Sequence, residues 1–153
     1  MTRINYGIKP TQLSDQLLRA ELRELPRIFG LVVARIEKDK PFDSIPKDFI
    51  LGRGHVTFFF DKVKYLVNRI NNLEQEHMSR FGKLYYNDEY RSLNKERVLY
   101  VKHSNISLYN DCEETKEGRQ LVVDRILMLS YGYKRPHTHT GRTIEDWAKL
   151  LNS

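Results

Sequence analysis

The sequence predicts an all-α fold: a compact single domain over residues 1–153, with three main helices, an extended N-terminal arm, irregular connectors and a short C-terminal helix. Apolar residues recur at steps of three and four in three long segments, which is typical of helices that bury one face. Strand-like alternation is weak throughout. A length of 153 residues fits one domain that buries a core without disulfide or metal support.

The N-terminal arm and the first helix follow from breakers, caps and an apolar stripe. Gly7 and Pro10 predict an extended arm, and Thr11 or Ser14 is a suitable cap for a helix that begins there. Pro26 falls inside this helix and removes a backbone donor, so we expect a kink or break there. The apolar stripe consists of Leu18, Leu22, Leu25, Phe29, Val32 and Ile36.

The remaining elements are assigned in the same way. Residues 37–57 read as a connector, because proline and glycine punctuate them. A second helix should begin near Thr57–Asp61 and end near Gly82. Residues 83–116 are polar and poorly periodic, which predicts irregular structure or short helical turns. Two further helices are predicted, Lys116–Leu129 and Thr143–Leu151.

Composition restricts the partners and the compartment. The chain has 26 basic and 20 acidic side chains, a formal charge of +6 and a pI near 9.4. This balance favours an anionic partner, nucleic acid first and a membrane surface second, although a solvated basic surface is about as good an explanation. Cys112 is the one cysteine, so no intrachain disulfide can form. Without an apolar signal core or a membrane-length run, we expect a cytoplasmic protein.

The chain start carries a candidate nucleophile. A small residue after Met1 normally allows removal of the methionine, which would leave Thr2 with a free α-amine. An α-amine has a pKa of about 7.7–8, against about 10.4 for lysine. Roughly a third of it is therefore neutral near pH 7.5 and able to form an imine. Most proteins that begin Met-Thr have the same terminus without using it, so the residue alone decides nothing.

The first helix presents a basic face. At about 100° per residue, four polar residues fall within roughly 80° of arc: Gln16, Arg19, Arg23 and Arg27. Glu24 lies between this row and the apolar stripe. Such a face suits successive phosphates, but it could equally be a solvated face with salt bridges. A carboxylate beside several cations stays ionised, so Glu24 could stabilise a developing positive charge and move protons.

Several segments together carry a family resemblance. They are Thr2–Asn5, Asp15–Leu17, Ala20–Arg27, Phe49–Lys62 and, more weakly, Tyr100–His103. The first 80 residues or so closely resemble the phage pyrimidine-dimer DNA glycosylase and AP lyase family, the denV-type endonuclease V family. The resemblance implies a DNA repair enzyme that acts on damaged double-stranded DNA without a cofactor or metal, as a monomer by default and in the cytoplasm of the host cell if phage-encoded.

The resemblance also assigns roles. Thr2 matches the family nucleophile, whose amine attacks C1′ of the damaged nucleotide, forms a Schiff base and leads to strand cleavage by β-elimination. Glu24 matches the catalytic glutamate. The DNA-binding residues of the family match Arg3, Gln16, Arg23, Arg27 and, through a loose alignment, Arg125. Extruding a nucleotide costs least where stacking is already damaged, which agrees with a bulky pyrimidine dimer as the lesion.

The tail departs from the family pattern. The family has an aromatic segment near the lesion, whereas this chain has Pro136–Arg142 at that point, and Leu17 replaces a family histidine. A glycosylase and AP lyase for a different modified base is therefore one alternative. A DNA-binding protein without catalysis is another.

Two further groups of residues could have a function but are explained at least as well by a structural role. His137 and His139 with Cys112 resemble a metal site only weakly, and surface polar groups explain them better. Three tyrosines could stack on bases, but packing explains them equally well: Tyr85, Tyr86 and Tyr90.

Overall fold

Residues 3–132, 137–140, 149 and 151 are described by the structure, a computed structural model of the chain. Within these residues the chain forms helices and loops and no β-strand, which confirms the all-α prediction. The helices are α1 (Asp15–Glu24), α2 (Pro26–Glu37), α3 (Val63–Phe81), α4 (Asp88–Ser104) and α5 (Lys116–Gly132). Short 3₁₀ turns lie at Pro10–Gln12, Thr57–Phe59 and Ile106–Leu108.

The first predicted helix is divided at the proline, as expected. Ser14 caps α1, and its hydroxyl accepts a hydrogen bond from the backbone N–H of Leu17. α1 ends at Glu24, and Pro26 occupies the first position of α2, where a missing N–H costs no hydrogen bond. Leu25 keeps a helical conformation between the two. The apolar stripe therefore continues across the break.

The second predicted helix is also confirmed. A 3₁₀ turn at Thr57–Phe59 leads into α3, which ends at Phe81. Gly82 follows it in the left-handed conformation with φ of 71°, a conformation that glycine adopts without steric cost. This stop fixes the direction in which the chain turns back toward α1.

The prediction for residues 83–116 was wrong over half of their length, because α4 is a regular helix of 17 residues. Its start is well encoded: the Asn87 side chain accepts from the N–H of Tyr90, and Asp88 and Glu89 occupy the first turn. Among its residues only Asn94 and Val101 are buried. With so narrow a buried face, the apolar periodicity that reveals most helices is nearly absent.

α5 begins at Lys116 as predicted and extends to Gly132. The predicted helix Thr143–Leu151 falls outside the described residues except for Lys149 and Leu151, which are both helical. Leu151 is buried, and its carbonyl oxygen accepts from Nη2 of Arg119 at 3.1 Å. This contact brings the end of the chain against α5.

The N-terminal arm is part of the core. Ile4, Tyr6 and Ile8 are buried, and the Tyr6 ring stacks on Phe49 with ring centroids 4.3 Å apart. The arm also lies tightly against α5, because a Cβ added at Gly7 would come within 2.7 Å of Arg119. Gly7 has a φ of 77°, so glycine is required there for two reasons. This packing holds residues 4–8 in place against the core.

Within the described residues, no helix combines the length and the apolar character that crossing a membrane would require.

Candidate active site

Helix α1 carries two glutamates, one turn apart, in different surroundings. The side chain of Glu21 is fully buried, whereas that of Glu24 keeps 13% of its surface exposed. Residues three apart on a helix are neighbours on its surface. The helix therefore joins a buried carboxylate to one that lies close to solvent.

Glu21 is the anchor of the N-terminal arm. It forms a buried ion pair with Arg69 of α3, in which Nε and Nη2 of the arginine donate to its two oxygens. The same carboxylate accepts from the backbone N–H of Asn5 at 3.2 Å and from Nδ2 of Asn5 at 2.8 Å. Arg69 also donates to the carbonyl oxygen of Ile8 at 2.9 Å. One ion pair thus holds the arm at two points.

His55 holds the arm closer to its start. Its Nε2 accepts from the backbone N–H of Ile4 at 2.9 Å, and its Nδ1 lies 3.1 Å from the carbonyl oxygen of Ile50. This pairing requires the neutral ring with the proton on Nδ1. The pKa of His55 is lowered to about 4, mainly by burial and also by the nearby positive charges of Arg125 and Arg3, although the Ile50 hydrogen bond acts in the opposite direction. The ring is therefore neutral near pH 7.

Two predicted DNA contacts lie beside this arm. Arg3 is exposed, and its positive charge contributes to the lowered pKa of His55. Arg125 of α5 is buried, and its Nη2 donates to Oδ1 of Asn5 at 3.0 Å. Its burial gives Arg125 a structural part in fixing Asn5, which the sequence did not indicate.

Glu24 lies beneath two exposed arginines. Its Oε1 is 3.2 Å from Nε of Arg23, and its Oε2 is 2.7 Å from Nη1 of Arg27. The arginine side chains keep 62% and 57% of their surface exposed. Guanidiniums placed in this way can bind phosphate oxygens from solvent. The carboxylate beneath them can face a positive charge that develops at the same surface.

A cleft adjoins the two arginines. It has a volume of about 380 Å³ and is lined by Arg23, Arg27, Asn87 and the three tyrosines of the sequence prediction. The tyrosine rings form a chain, with centroids 5.2 Å apart for Tyr85 and Tyr86. Cations beside aromatic rings are a common surface for nucleic acid.

The comparison with known families agrees with this geometry. A family model described as pyrimidine dimer DNA glycosylase matches residues 1–90, which is more than half of the chain. The chain belongs to this family. As a pyrimidine dimer DNA glycosylase it is a DNA repair protein, and DNA is its substrate. The match covers the arm, α1 to α3, and the tyrosine-lined cleft.

Some of the predicted site residues of the glycosylase lie together in the structure, and others do not. Glu24, Arg23 and Arg27 are in direct contact. Thr2 lies outside the described residues. Arg19, which shares the predicted basic face, instead stacks its guanidinium on Phe81 at 4.1 Å.

Gln16 is bonded to the segment 137–140. Its Nε2 donates to Oγ1 of Thr138 at 3.0 Å, and its Oε1 accepts from the Thr138 N–H at 2.9 Å. Asp15 accepts from the hydroxyls of Thr138 and Thr140, from the Thr140 N–H, and from Nη1 of Arg80 at 3.1 Å. Burial raises the pKa of Asp15, but these hydrogen bonds outweigh it and the pKa is lowered. We call this arrangement the Asp15 clasp.

The two histidines of the weak metal pattern belong to the same region. Nδ1 of His137 is 2.7 Å from the hydroxyl of Ser14, and Nε2 of His139 is 2.9 Å from the carbonyl oxygen of Thr11. Both histidines are buried, contrary to the expected surface position, because they tie the segment 137–140 to the start of α1.

The buried anchors Asn5, Glu21, His55 and Arg69 were missed by the sequence prediction. A signal existed for two of them. Glu21 falls on the apolar side of α1, and Arg69 falls on the apolar side of α3 between buried leucines. Opposite charges on the buried faces of two helices predict an ion pair between them, since a buried charge requires a partner.

Proposed function

We propose that this DNA repair glycosylase removes a pyrimidine of a cyclobutane dimer from double-stranded DNA and then cuts the strand as an AP lyase. The Thr2 α-amine is the nucleophile, and Glu24 is the carboxylate that stabilises the sugar cation and transfers protons. Arg3, Gln16, Arg23, Arg27 and Arg125 are the proposed DNA contacts. We further propose that residues 1–153 act as one domain, as a monomer and without a metal or cofactor.

The reaction follows from the amine. Its nitrogen bonds to C1′ while the bond from C1′ to the base breaks, and the base leaves with a proton. Opening of the sugar ring gives the imine, and loss of a 2′ proton then expels the 3′ phosphate. Glu24 is suited to the cationic stage, because its carboxylate lies against Arg23 and Arg27 at the surface and phosphates can compete for both guanidiniums.

The observation that carries the proposal is the attachment of the arm to the helix that bears Glu24. Asn5 is bonded to Glu21, and Glu24 lies about 5 Å farther along α1. The arm is thus fastened to α1 one turn before Glu24, which supports pairing the Thr2 amine with that carboxylate.

Borohydride trapping tests the proposal. The mature protein should give a covalent adduct with duplexes that contain a dimer or an abasic site, and acetylation of the Thr2 amine should abolish it. Glu24→Gln should slow base release by about 10²–10⁴-fold, the usual contribution of a positioned acid or base. Undiminished trapping by the acetylated protein would refute the role of Thr2. A protein that only binds DNA would trap nothing and would bind more tightly as Glu24→Gln.

A glycosylase for another modified base is the second candidate, and the Asp15 clasp favours it. By the family resemblance, the segment 137–140 corresponds to part of the aromatic tail, and in this chain it is bonded to α1. A panel of lesion duplexes separates the candidates. Cleavage at abasic sites without excision of dimers would select the second.

A further inference from the structure

A second pocket lies behind the cleft, between α2, α3 and α4. Its volume is about 500 Å³, within the range of about 300–1,000 Å³ that is usual for small-molecule sites. Its walls are mainly apolar and aromatic and include Phe29, Val67, Ile70, Val98, Leu99 and Tyr109. We call it the α2–α4 pocket. Neither Glu24 nor the arginines beside it line this pocket.

The pocket contains an unpaired buried acceptor. Asn94 lines it and is only 8% exposed. Its Oδ1 is buried and has no hydrogen-bond partner among the residues that the structure describes. Buried carbonyl groups are nearly always hydrogen-bonded, because a buried group loses its hydrogen bonds to water and needs a partner to replace them. A ligand that places an N–H or O–H group against Asn94 would supply the bond.

The charged residues around the pocket favour an anion. Glu74 is its one acidic lining residue, and both Nη atoms of Arg91 bind that carboxylate. Lys95 and Lys102 then remain as two positive charges, and neither forms an ion pair within the described part of the chain. They lie seven residues apart, on one side of α4 and about 10 Å from each other along its axis. The ammonium of Lys102 lies 4.4 Å from the centroid of the Tyr109 ring.

We propose that the α2–α4 pocket binds a small aromatic anion whose ring carries an N–H or O–H group. The flat ring lies between the apolar walls, its donor bonds to Oδ1 of Asn94, and its anionic group pairs with Lys95, while the charge of Lys102 adds to the attraction. A nucleoside monophosphate has all three features. This site goes beyond the proposed function, since it needs neither the Thr2 amine nor Glu24.

The pocket and the cleft share one wall. Tyr86 lines both of them, and its hydroxyl donates to the carbonyl oxygen of Leu22 on α1. A ligand in the pocket therefore contacts the same ring that borders Arg23 and Arg27. Binding at the two places can be separated by variants that alter only one of them.

Calorimetric titration of the whole protein with thymidine monophosphate tests the proposal. Saturable binding at one site with a Kd below about 1 mM is expected, with weaker binding of thymidine and of inorganic phosphate. Asn94→Leu should weaken binding by roughly 3- to 10-fold, the usual effect of one neutral hydrogen bond. Val98→Trp should fill the pocket and abolish binding.

Matched variants decide where the nucleotide binds. Lys95→Ala should weaken binding, whereas Lys64→Ala, which alters an exposed lysine outside the lining, should not. Both lysines are exposed, so neither change should unfold the protein. Arg23→Ala with Arg27→Ala should bind normally. No saturable binding by the wild type, equal effects of the two lysine variants, or loss of binding only in the arginine variant would each overturn the proposal, whatever the enzymatic activity.

Discussion

Replacement of Glu21 by glutamine removes a buried charge while nearly keeping the shape of the side chain. In the wild type four donors meet this carboxylate: two from Arg69 and two from Asn5. Burial lowers the pKa of Arg69, but the charge and hydrogen bonds of Glu21 outweigh it and the pKa is raised. Glu21→Gln would leave Arg69 charged, buried and without its counter-ion. It would also place the amide N–H₂ of the glutamine against one of the N–H donors of Arg69.

The expected loss follows from burial on both sides of the pair. The side chains of Glu21 and Arg69 are 0% and 6% exposed, so solvent cannot screen the unpaired charge. Removal of one partner from such a pair typically costs about 3–5 kcal/mol. For a protein of this size, 1 kcal/mol lowers Tm by about 2–4 °C, so Tm should fall by about 6–20 °C.

Urea and thermal unfolding, followed by far-UV circular dichroism, measure this loss. Glu24→Gln is the matched control, because it makes the same change one turn later on the same helix. The partners of Glu24 are more than half exposed, so its free energy of unfolding should change by less than about 1 kcal/mol. Glu21→Gln should therefore lose stability, and Glu24→Gln should lose activity while keeping stability.

Two results would refute this reasoning. If the free energy of unfolding of Glu21→Gln lies within about 1 kcal/mol of the wild-type value, the ion pair does not anchor the arm. If Glu24→Gln is as strongly destabilised as Glu21→Gln, the two carboxylates do not differ in the way their exposure indicates.

Three further predictions concern pH, DNA and the tail. The pKa of His55 is lowered from 6.5 to about 4, so the folded protein resists protonation of a ring that the unfolded chain protonates readily. The resulting stabilisation, about 3 kcal/mol, is complete above pH 6.5, declines as the pH falls and is lost near pH 4. Denaturant titrations across this pH range measure the free energy of unfolding. Arg23→Ala and Arg27→Ala should each weaken binding to duplex DNA and reduce the salt slope of log K by about 0.9, measured by fluorescence anisotropy. Asp15→Ala removes the acceptor for the two threonine hydroxyls and should speed amide exchange at Thr138 and Thr140.

Each of these has a control. His55→Gln cannot gain a proton, so it should remove most of the stability change between pH 6.5 and 4; an unchanged profile would assign that change to other groups. Arg35→Ala, which removes a guanidinium bonded to the carbonyl oxygen of Pro41, should leave DNA affinity and the salt slope unaltered. Asp124→Ala, on the exposed side of α5, should not speed exchange at the clasp.

The sequence predicted the helical framework because local signals define it. The break at Pro26, the cap at Ser14 and the stop at Gly82 each depend on one residue type in one backbone conformation. α4 was missed because only Asn94 and Val101 of its residues are buried, which leaves little apolar periodicity to detect.

The site was predicted less completely, for a different reason. Arg23 and Glu24 end α1 and Arg27 lies in the first turn of α2, and Leu25 between them is helical, so local helical geometry brings the three together. The bond between Asn5 and Arg125 spans 120 residues, and no local pattern encodes it. The same is true of the bonds that tie Thr138 to Asp15 and Gln16, which make an exposed glutamine of the predicted basic face part of the Asp15 clasp.

The fastening of the arm has a consequence for synthesis on the ribosome. The Tyr6 hydroxyl donates to the carbonyl oxygen of Glu113, and the Gly7 N–H donates to the carboxylate of Glu114. Tyr6 and Gly7 thus wait for partners translated more than 100 positions later, and contacts of such long range form slowly. The arm that leads to the proposed nucleophile is therefore fixed late, so a nascent chain without residues 113 and 114 lacks these two bonds.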